Sequence, residues 1–230
     1  MNWNEDTYNK FDLSDISNLE AKEKVAEKIV DKVKDGDVIG FGSGSTSYLA
    51  TIAIANIVKE KGWNIFAVPT SKKIEDLCKK LEIPLMNLNE SSLDWSFDGA
   101  DEVDTKRWLI KGLGAAMFKE KLNIISSPIT YILIDESKKV NKLGEKCKVP
   151  VECFPGAEKL VIKELISLGA YDITKREDRR TKEALITESG NIILDAKFDN
   201  IEENLEKQIK LISGVIESGL FIGYNTMILE

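Results

Sequence analysis

The sequence offers acid/base chemistry at four polar positions. Asp98 and Asp101 flank the short turn Asp98-Gly-Ala-Asp101, Lys111 ends a short apolar run, and Glu120 follows a segment of small residues. Carboxylates serve as general acids or bases when burial or neighbouring charge tunes them. An ammonium beside them can hold an oxyanion. Each position also has a plainer reading: a solvated acidic turn, an exposed loop lysine, a surface glutamate between Lys119 and Lys121. Glu102 and Asp104 extend the acidic turn and are expected to be solvated. Asp98 directly follows an apolar stretch and is the carboxylate best placed to face a crevice. Glu120 lies four residues after Ala116, hence on the same face of the helix expected there.

Two other segments suit an anion. Gly42-Ser-Gly-Ser-Thr46 stands between an expected strand and an expected helix. Glycines admit close backbone approach, and free N–H groups at a helix start favour negative charge. A tight turn with a Ser/Thr cap explains the same residues equally well. The segment lacks the lysine of a P-loop and the spacing of a dinucleotide fingerprint. Lys138, in Asp135-Glu-Ser-Lys138, is either a surface charge or a phosphate ligand at a strand end.

What is missing narrows the chemistry further. The chain of 230 residues has no histidine, which excludes a Ser-His-Asp triad and a histidine-based metal centre. The acidic turn lacks EF-hand spacing, and neither a metal nor a cofactor is expected. A net charge of −7 argues against a nucleic-acid-binding surface but permits a basic pocket for an anionic small molecule. No apolar run reaches the roughly 20 residues that span a bilayer. Residues 1–18 read as a polar leader, unlike a secretory signal or transit peptide. The three cysteines form no CxxC pair and fit free thiols in a reducing compartment. The expected setting is the cytoplasm, without membrane or nucleic-acid partners.

Elements that would position these residues follow from periodicity. Residues 19–34 read as a helix closed at Asp35-Gly36, followed by a strand at 37–41, a helix at 48–61, a strand at 64–68, a helix at 72–81 and a strand at 84–88. A short apolar run at 108–110, a helix from Gly112 to about Ile125 and a strand at 130–134 complete the first part. Alternating strands and helices predict an α/β, Rossmann-like parallel sheet whose ligands bind at the carboxyl ends of its strands. From Pro150 the pattern changes to a strand (VECF), a helix at 157–168, strands at 184–187 and 191–195, a helix at 201–212 and a strand at 215–221. This βαββαβ order predicts a smaller α+β, ferredoxin-like domain over 150–221, with 19–149 plus about 222–230 forming the larger domain.

The ordered series GSGST (42–46), VPTS (68–71), DGADEVD (98–104), KGLGAAMFKEK (111–121), IDESK (134–138) and PVE (150–152) resembles type A ribose-5-phosphate isomerase, as do the GNIILD strand (190–195) and 214–221. The resemblance covers most of the chain from about residue 19. It implies metal-free interconversion of ribose 5-phosphate and ribulose 5-phosphate in the non-oxidative pentose phosphate pathway, and a homo-oligomer, dimer or tetramer. Residue roles follow from the matched motifs. Glu120 matches the base that moves a proton between C1 and C2. Asp98, with Asp101 beside it, matches an aspartate of ring opening and hydroxyl proton transfer, and Lys111 the lysine near the enediolate oxygens. Ser43, Gly44, Ser45, Thr46, Gly99, Ala100, Gly112, Leu113, Gly114 and Lys138 match substrate-binding positions, and Lys22 an N-terminal lysine near the phosphate. Leu113 departs from the usual glycine, so its side chain must point away from substrate. Two other classes compete: a non-catalytic sugar-phosphate sensor, which would carry an added basic DNA-binding helix pair, and a coenzyme-A transferase-like enzyme with Glu120 as nucleophile.

Overall fold

The computed structural model describes residues 13, 16–178 and 180–230. Most of the expected leader lies outside the described residues, but Leu13 is buried in the main core and Ile16 packs against it. Helix α1 (Leu19–Lys28) buries Val25 and Ala26 and passes into a 3₁₀ turn at Val30–Lys32. Then come β1 (Val38–Phe41), α2 (Gly44–Lys61), β2 (Phe66–Pro69) and α3 (Lys72–Lys80). The Ser71 side chain caps α3 by accepting a hydrogen bond from the Ile74 N–H. Strands β3 (Trp95–Gly99), β6 (Thr130–Leu133) and β12 (Thr226–Leu229) complete a five-stranded sheet, ordered β12-β6-β3-β1-β2 and parallel throughout.

Both faces of this sheet are covered, as a parallel sheet requires. Leu133 packs with Ile39, Phe41, Phe97 and the buried faces of α1 to α3. Its neighbours Ile132 and Ile134 point the other way, into a core with Ile124 and Phe221. The strand expected at 84–88 does not form. Leu85 makes one parallel bridge to Ala67, Pro84 has no N–H to give, and Leu85 is exposed.

The second sheet is antiparallel, ordered β10-β7-β9-β8, from β7 (Val149–Cys153), β8 (Ala170–Lys175), β9 (Ile192–Phe198) and β10 (Val215–Ser218). With α5 (Glu158–Ser167) after β7 and α6 (Leu205–Lys210) after β9, it has the βαββαβ order of a ferredoxin-like unit. Its second strand is β8 rather than 184–187, which makes only isolated bridges. As an edge strand with Tyr171, Asp172, Thr174 and Lys175 exposed, β8 carries little hydrophobic signal.

The run 215–221 divides at Gly219. Strand β11 (Leu220–Phe221) leaves the second sheet and joins β5 (Leu109–Ile110) and β4 (Glu102–Val103) in a small antiparallel sheet, ordered β11-β5-β4. A Cβ at Gly219 would lie 2.2 Å from the Lys111 carbonyl oxygen, so only glycine permits this crossing. The helix expected from Gly112 starts later, as α4 (Met117–Ser126). Gly112 at φ 101° and Ala115 at φ 61° are left-handed and cannot continue a right-handed helix. No helix among the described residues is long and apolar enough to cross a membrane.

Candidate active site

Strand order reverses at β1: the chain runs from β1 to β2 on one side and returns with β3 on the other. Such a switch point opens a crevice beyond the carboxyl ends of the strands. Here it is flanked by the Gly42–Thr46 turn after β1 and by Asp98 at the end of β3. β5 delivers Lys111 to the same edge, the following loop leads to Glu120 in the first turn of α4, and β6 leads to Lys138. The resulting cleft, about 470 Å³ counted with the solvent at its open mouth, is lined by Lys22, Ser43, Gly44, Ser45, Thr46, Gly99, Ala100, Asp101, Lys111, Gly112, Gly114, Glu120 and Lys138. Of the positions expected to be catalytic or substrate-binding, Asp98 and Leu113 are outside the lining.

Asp98 sits behind the wall. It is 2% exposed. Its Oδ1 accepts hydrogen bonds from the N–H groups of Ser43 (3.0 Å) and Gly99 (2.8 Å), and its Oδ2 pairs with Lys111 Nζ at 2.9 Å. Gly42 makes this packing possible, since a Cβ there would lie 2.3 Å from the Asp98 carboxyl carbon. Asp98 therefore holds the turn and the lysine rather than facing the cleft, which differs from the ring-opening position expected for it. Ser43 likewise spends its N–H on Asp98 and shares its hydroxyl with Thr70 at 2.7 Å, leaving Gly44, Ser45 and Thr46 to present the helix start.

Lys111 Nζ also donates to the Gly99 carbonyl and lies 3.2 Å from Glu120 Oε2. That contact is not aligned as a hydrogen bond, and Glu120 Oε2 has no hydrogen-bond partner among the described residues. A buried carboxylate oxygen without a donor is costly unless it is protonated or meets a ligand. Burial, then the Asp98 charge, push the Glu120 carboxyl up to about 8, with Lys111 opposing. Burial also raises Asp98 above the ordinary carboxylate range, against the pull of Lys111 and its hydrogen bonds. Burial works against the charge on Lys111, but Asp98 and Glu120 outweigh it and keep the ammonium protonated above the usual lysine value. The site thus joins a carboxyl that titrates near neutral pH to a lysine that stays positive.

The cleft also carries Lys22 and Lys138. Lys22 is 5% exposed and donates to the Ser17 carbonyl at 2.7 Å. Burial and then the nearby positive charge of Lys138 lower it from the usual lysine value, with Asp135 opposing. Two lysines that line the cleft with the first turn of an 18-residue helix, α2, make a setting that suits an anion.

Asp101 lines the cleft and accepts the Leu113 N–H at 3.0 Å, while the Leu113 side chain is exposed. Glu102 corrects the reading of a solvated turn. It is fully buried and accepts N–H donors from Gly144, Lys146 and Cys147, tying the following loop to β4. Asp104 folds its own turn, accepting from the Lys106 and Trp108 N–H groups. Two further residues support the site through partners distant in sequence, Lys121 at the end of the 111–121 segment and Arg176, which lies in no quoted motif. Lys121 is buried and donates to Glu206, Glu217 and the carbonyls of Ser218 and Leu220. Arg176, from the second sheet, reaches the carbonyls of Gly112 and Leu113. Only their contacts across the fold reveal them.

Comparison with known proteins identifies the family. Residues 66–229 match the family model of ribose 5-phosphate isomerase A (phosphoriboisomerase A). The chain is 43% identical to ribose-5-phosphate isomerase A of Methanocaldococcus jannaschii, over 90% of this chain and 92% of that protein. It is 40% identical to the Prochlorococcus marinus protein of the same name, over 89% and 88%. The solved structure of the M. jannaschii enzyme superposes with a TM-score of 0.89, covering 93% of this chain and 96% of that one. A D-ribose-5-phosphate isomerase in complex with phospho-erythronic acid superposes at 0.88 with 34% identity, covering 93% and 95%. On sequence, fold and extent of match, this chain belongs to the ribose 5-phosphate isomerase A family.

Proposed function

We propose that the chain interconverts D-ribose 5-phosphate and D-ribulose 5-phosphate through an enediolate, without a metal, with Glu120 as the general base. The observation that carries this reading is the buried Glu120–Lys111–Asp98 array beside a cleft that Lys22 and Lys138 also line. The phosphate lies at the start of α2 between Lys22 and Lys138. This places the reacting carbons of the open-chain sugar toward Glu120. The carboxylate removes the proton from C2 as the C1 carbonyl oxygen takes up negative charge; the proton of the C2 hydroxyl then passes to O1, and Glu120 returns its proton to C1, leaving the ketone at C2.

Isomerisation by this route needs one base poised near working pH and a fixed positive charge near the oxyanion. A carboxyl titrating near 8 supplies the first, and Lys111 fills the electrostatic role that a metal ion would otherwise serve. Asp98 acts through Lys111, keeping it charged and in place. Asp101, at the cleft surface, is the carboxylate available for hydroxyl proton transfer. The relative bound to phospho-erythronic acid carries a phosphorylated sugar acid, whose planar carboxylate resembles the enediolate in shape and charge.

The test is a coupled assay for ribulose 5-phosphate formed from ribose 5-phosphate in the presence of a chelator. Turnover that persists supports both the reaction and its independence from metal. Turnover abolished by chelator and restored by a divalent cation refutes the metal-free route, and no turnover under any condition refutes the activity.

A further inference from the structure

The loop between β5 and α4 supplies three cleft residues, Lys111, Gly112 and Gly114, and closes one turn of its own, the Ala115 N–H donating to the Gly112 carbonyl at 3.1 Å. A second restraint comes from the other sheet. Arg176 follows β8, its own N–H paired with the Ile193 carbonyl at 2.8 Å. Its guanidinium forms a two-point pair with Asp195 on β9, through Nε at 2.9 Å and through Nη2. That fork fixes the plane of the group and leaves Nη1 directed at the loop. Nη1 donates to the Gly112 carbonyl at 2.7 Å and to the Leu113 carbonyl at 3.1 Å.

In a trans peptide the C=O and the following N–H point in opposite directions. The peptide joining Gly112 to Leu113 is held at both ends, by Arg176 at its oxygen and by Asp101 at the Leu113 N–H. The peptide joining Leu113 to Gly114 is held at its oxygen only. Its N–H, on Gly114, makes no hydrogen bond among the described residues and faces away from the guanidinium. Gly114 lines the cleft, and there is open space where its Cβ would be.

We propose that Arg176 is a positioning residue for the reaction. By holding the Leu113 carbonyl from behind, it aims the Gly114 N–H into the cleft as a preset donor to an oxygen of the bound sugar. The ferredoxin-like unit thereby takes part in transition-state stabilisation, although none of its side chains lines the cleft. This rests on the isomerase reading above for the identity of the ligand, but not for the geometry of the loop.

The test compares wild type, Arg176→Ala and Arg176→Lys. Removing an aligned backbone donor costs about 100-fold or more in turnover elsewhere, and mis-aiming one is expected to lower kcat at least about tenfold. KM should change less than kcat. Lysine retains a charge for Asp195 but cannot span both carbonyls, so it should fall between the two. Millimolar guanidinium chloride should restore part of the activity of Arg176→Ala and none of it in wild type, which a merely structural ion pair would not show. In ¹⁵N-labelled protein the Gly114 amide resonance should move in Arg176→Ala while those of β7 keep their positions. A kcat within twofold of wild type, or an unmoved Gly114 resonance, overturns the proposal. An inactive wild type would instead refute the isomerase reading, and the resonance would still decide the loop geometry.

Discussion

Replacing Glu120 by glutamine should abolish turnover and at the same time stabilise the protein at alkaline pH. The two effects share one cause. In the unfolded chain this carboxyl ionises near its ordinary value of 4.5, whereas in the folded protein burial and Asp98 hold its proton to about pH 8. Between these values the folded state binds the proton and the unfolded state does not, so the contribution of Glu120 to stability falls as pH rises. It is fully present below pH 4.5 and lost by about pH 8. Each pH unit in that window is worth about 1.4 kcal/mol, so the whole window amounts to at most roughly 5 kcal/mol. Glutamine keeps the shape and never ionises. Urea denaturation of both proteins from pH 5 to pH 9 should therefore show wild type losing stability relative to Glu120→Gln as pH rises, levelling off above about pH 8. For wild type, kcat/KM should rise about tenfold per pH unit below the same midpoint, since only the ionised carboxylate accepts a proton. The variant should lose turnover by a factor of about 100 to 10,000. Parallel stability curves for the two proteins, or near-wild-type kcat in the variant, would refute both the raised ionisation and the role as base.

Other perturbations probe separate parts of the site. Lys22→Met should raise KM for the sugar phosphate roughly 10- to 100-fold, the worth of one charged hydrogen bond, with a smaller effect on kcat; steady-state kinetics and weakened inhibition by inorganic phosphate would show it. Lys121→Met removes one ammonium that serves two buried carboxylates and should cost about 3–5 kcal/mol in urea denaturation. Gly42→Ala forces a methyl group into the Asp98 carboxyl. It should lose about 1–3 kcal/mol of stability and most activity, and wild-type kcat in this variant would show that the Asp98 geometry is dispensable.

Much of this could be read from the chain because the relevant signals are local. The parallel sheet follows from apolar runs spaced by helices, and the cleft from the motifs at the strand ends. Where the reading failed, a non-local contact or an unusual backbone angle decided the outcome. The α4 start was placed too early because small residues look helix-compatible, whereas Gly112 and Ala115 are left-handed. β8 was missed because an edge strand can be polar. Glu102 looked like one more solvated acid, and only the loop at 144–147, distant in sequence, shows that its oxygens are in use. Asp98 is expected to face a crevice because it follows an apolar strand, yet the room left by Gly42 lets its carboxyl turn to the Ser43 N–H. Arg176 lies in no quoted motif, and the partners of Lys121, although it closes the 111–121 segment, are about 85 to 100 residues downstream, so neither residue's role is legible locally.

The crossing at Gly219 bears on how the enzyme is made. The Lys111 N–H donates to the Gly219 carbonyl at 2.9 Å, and β11 completes the small sheet by pairing with β5. A nascent chain that has left the ribosome as far as Ser126 already contains Asp98, Asp101, Lys111 and Glu120. It lacks the segment that sets the backbone of the lysine. Assembly of this edge of the cleft must therefore wait for synthesis of residues roughly a hundred positions downstream, a loop closure that slows folding. A fragment released before that point would carry Asp98, Lys111 and Glu120 without the backbone pairing that sets their registration.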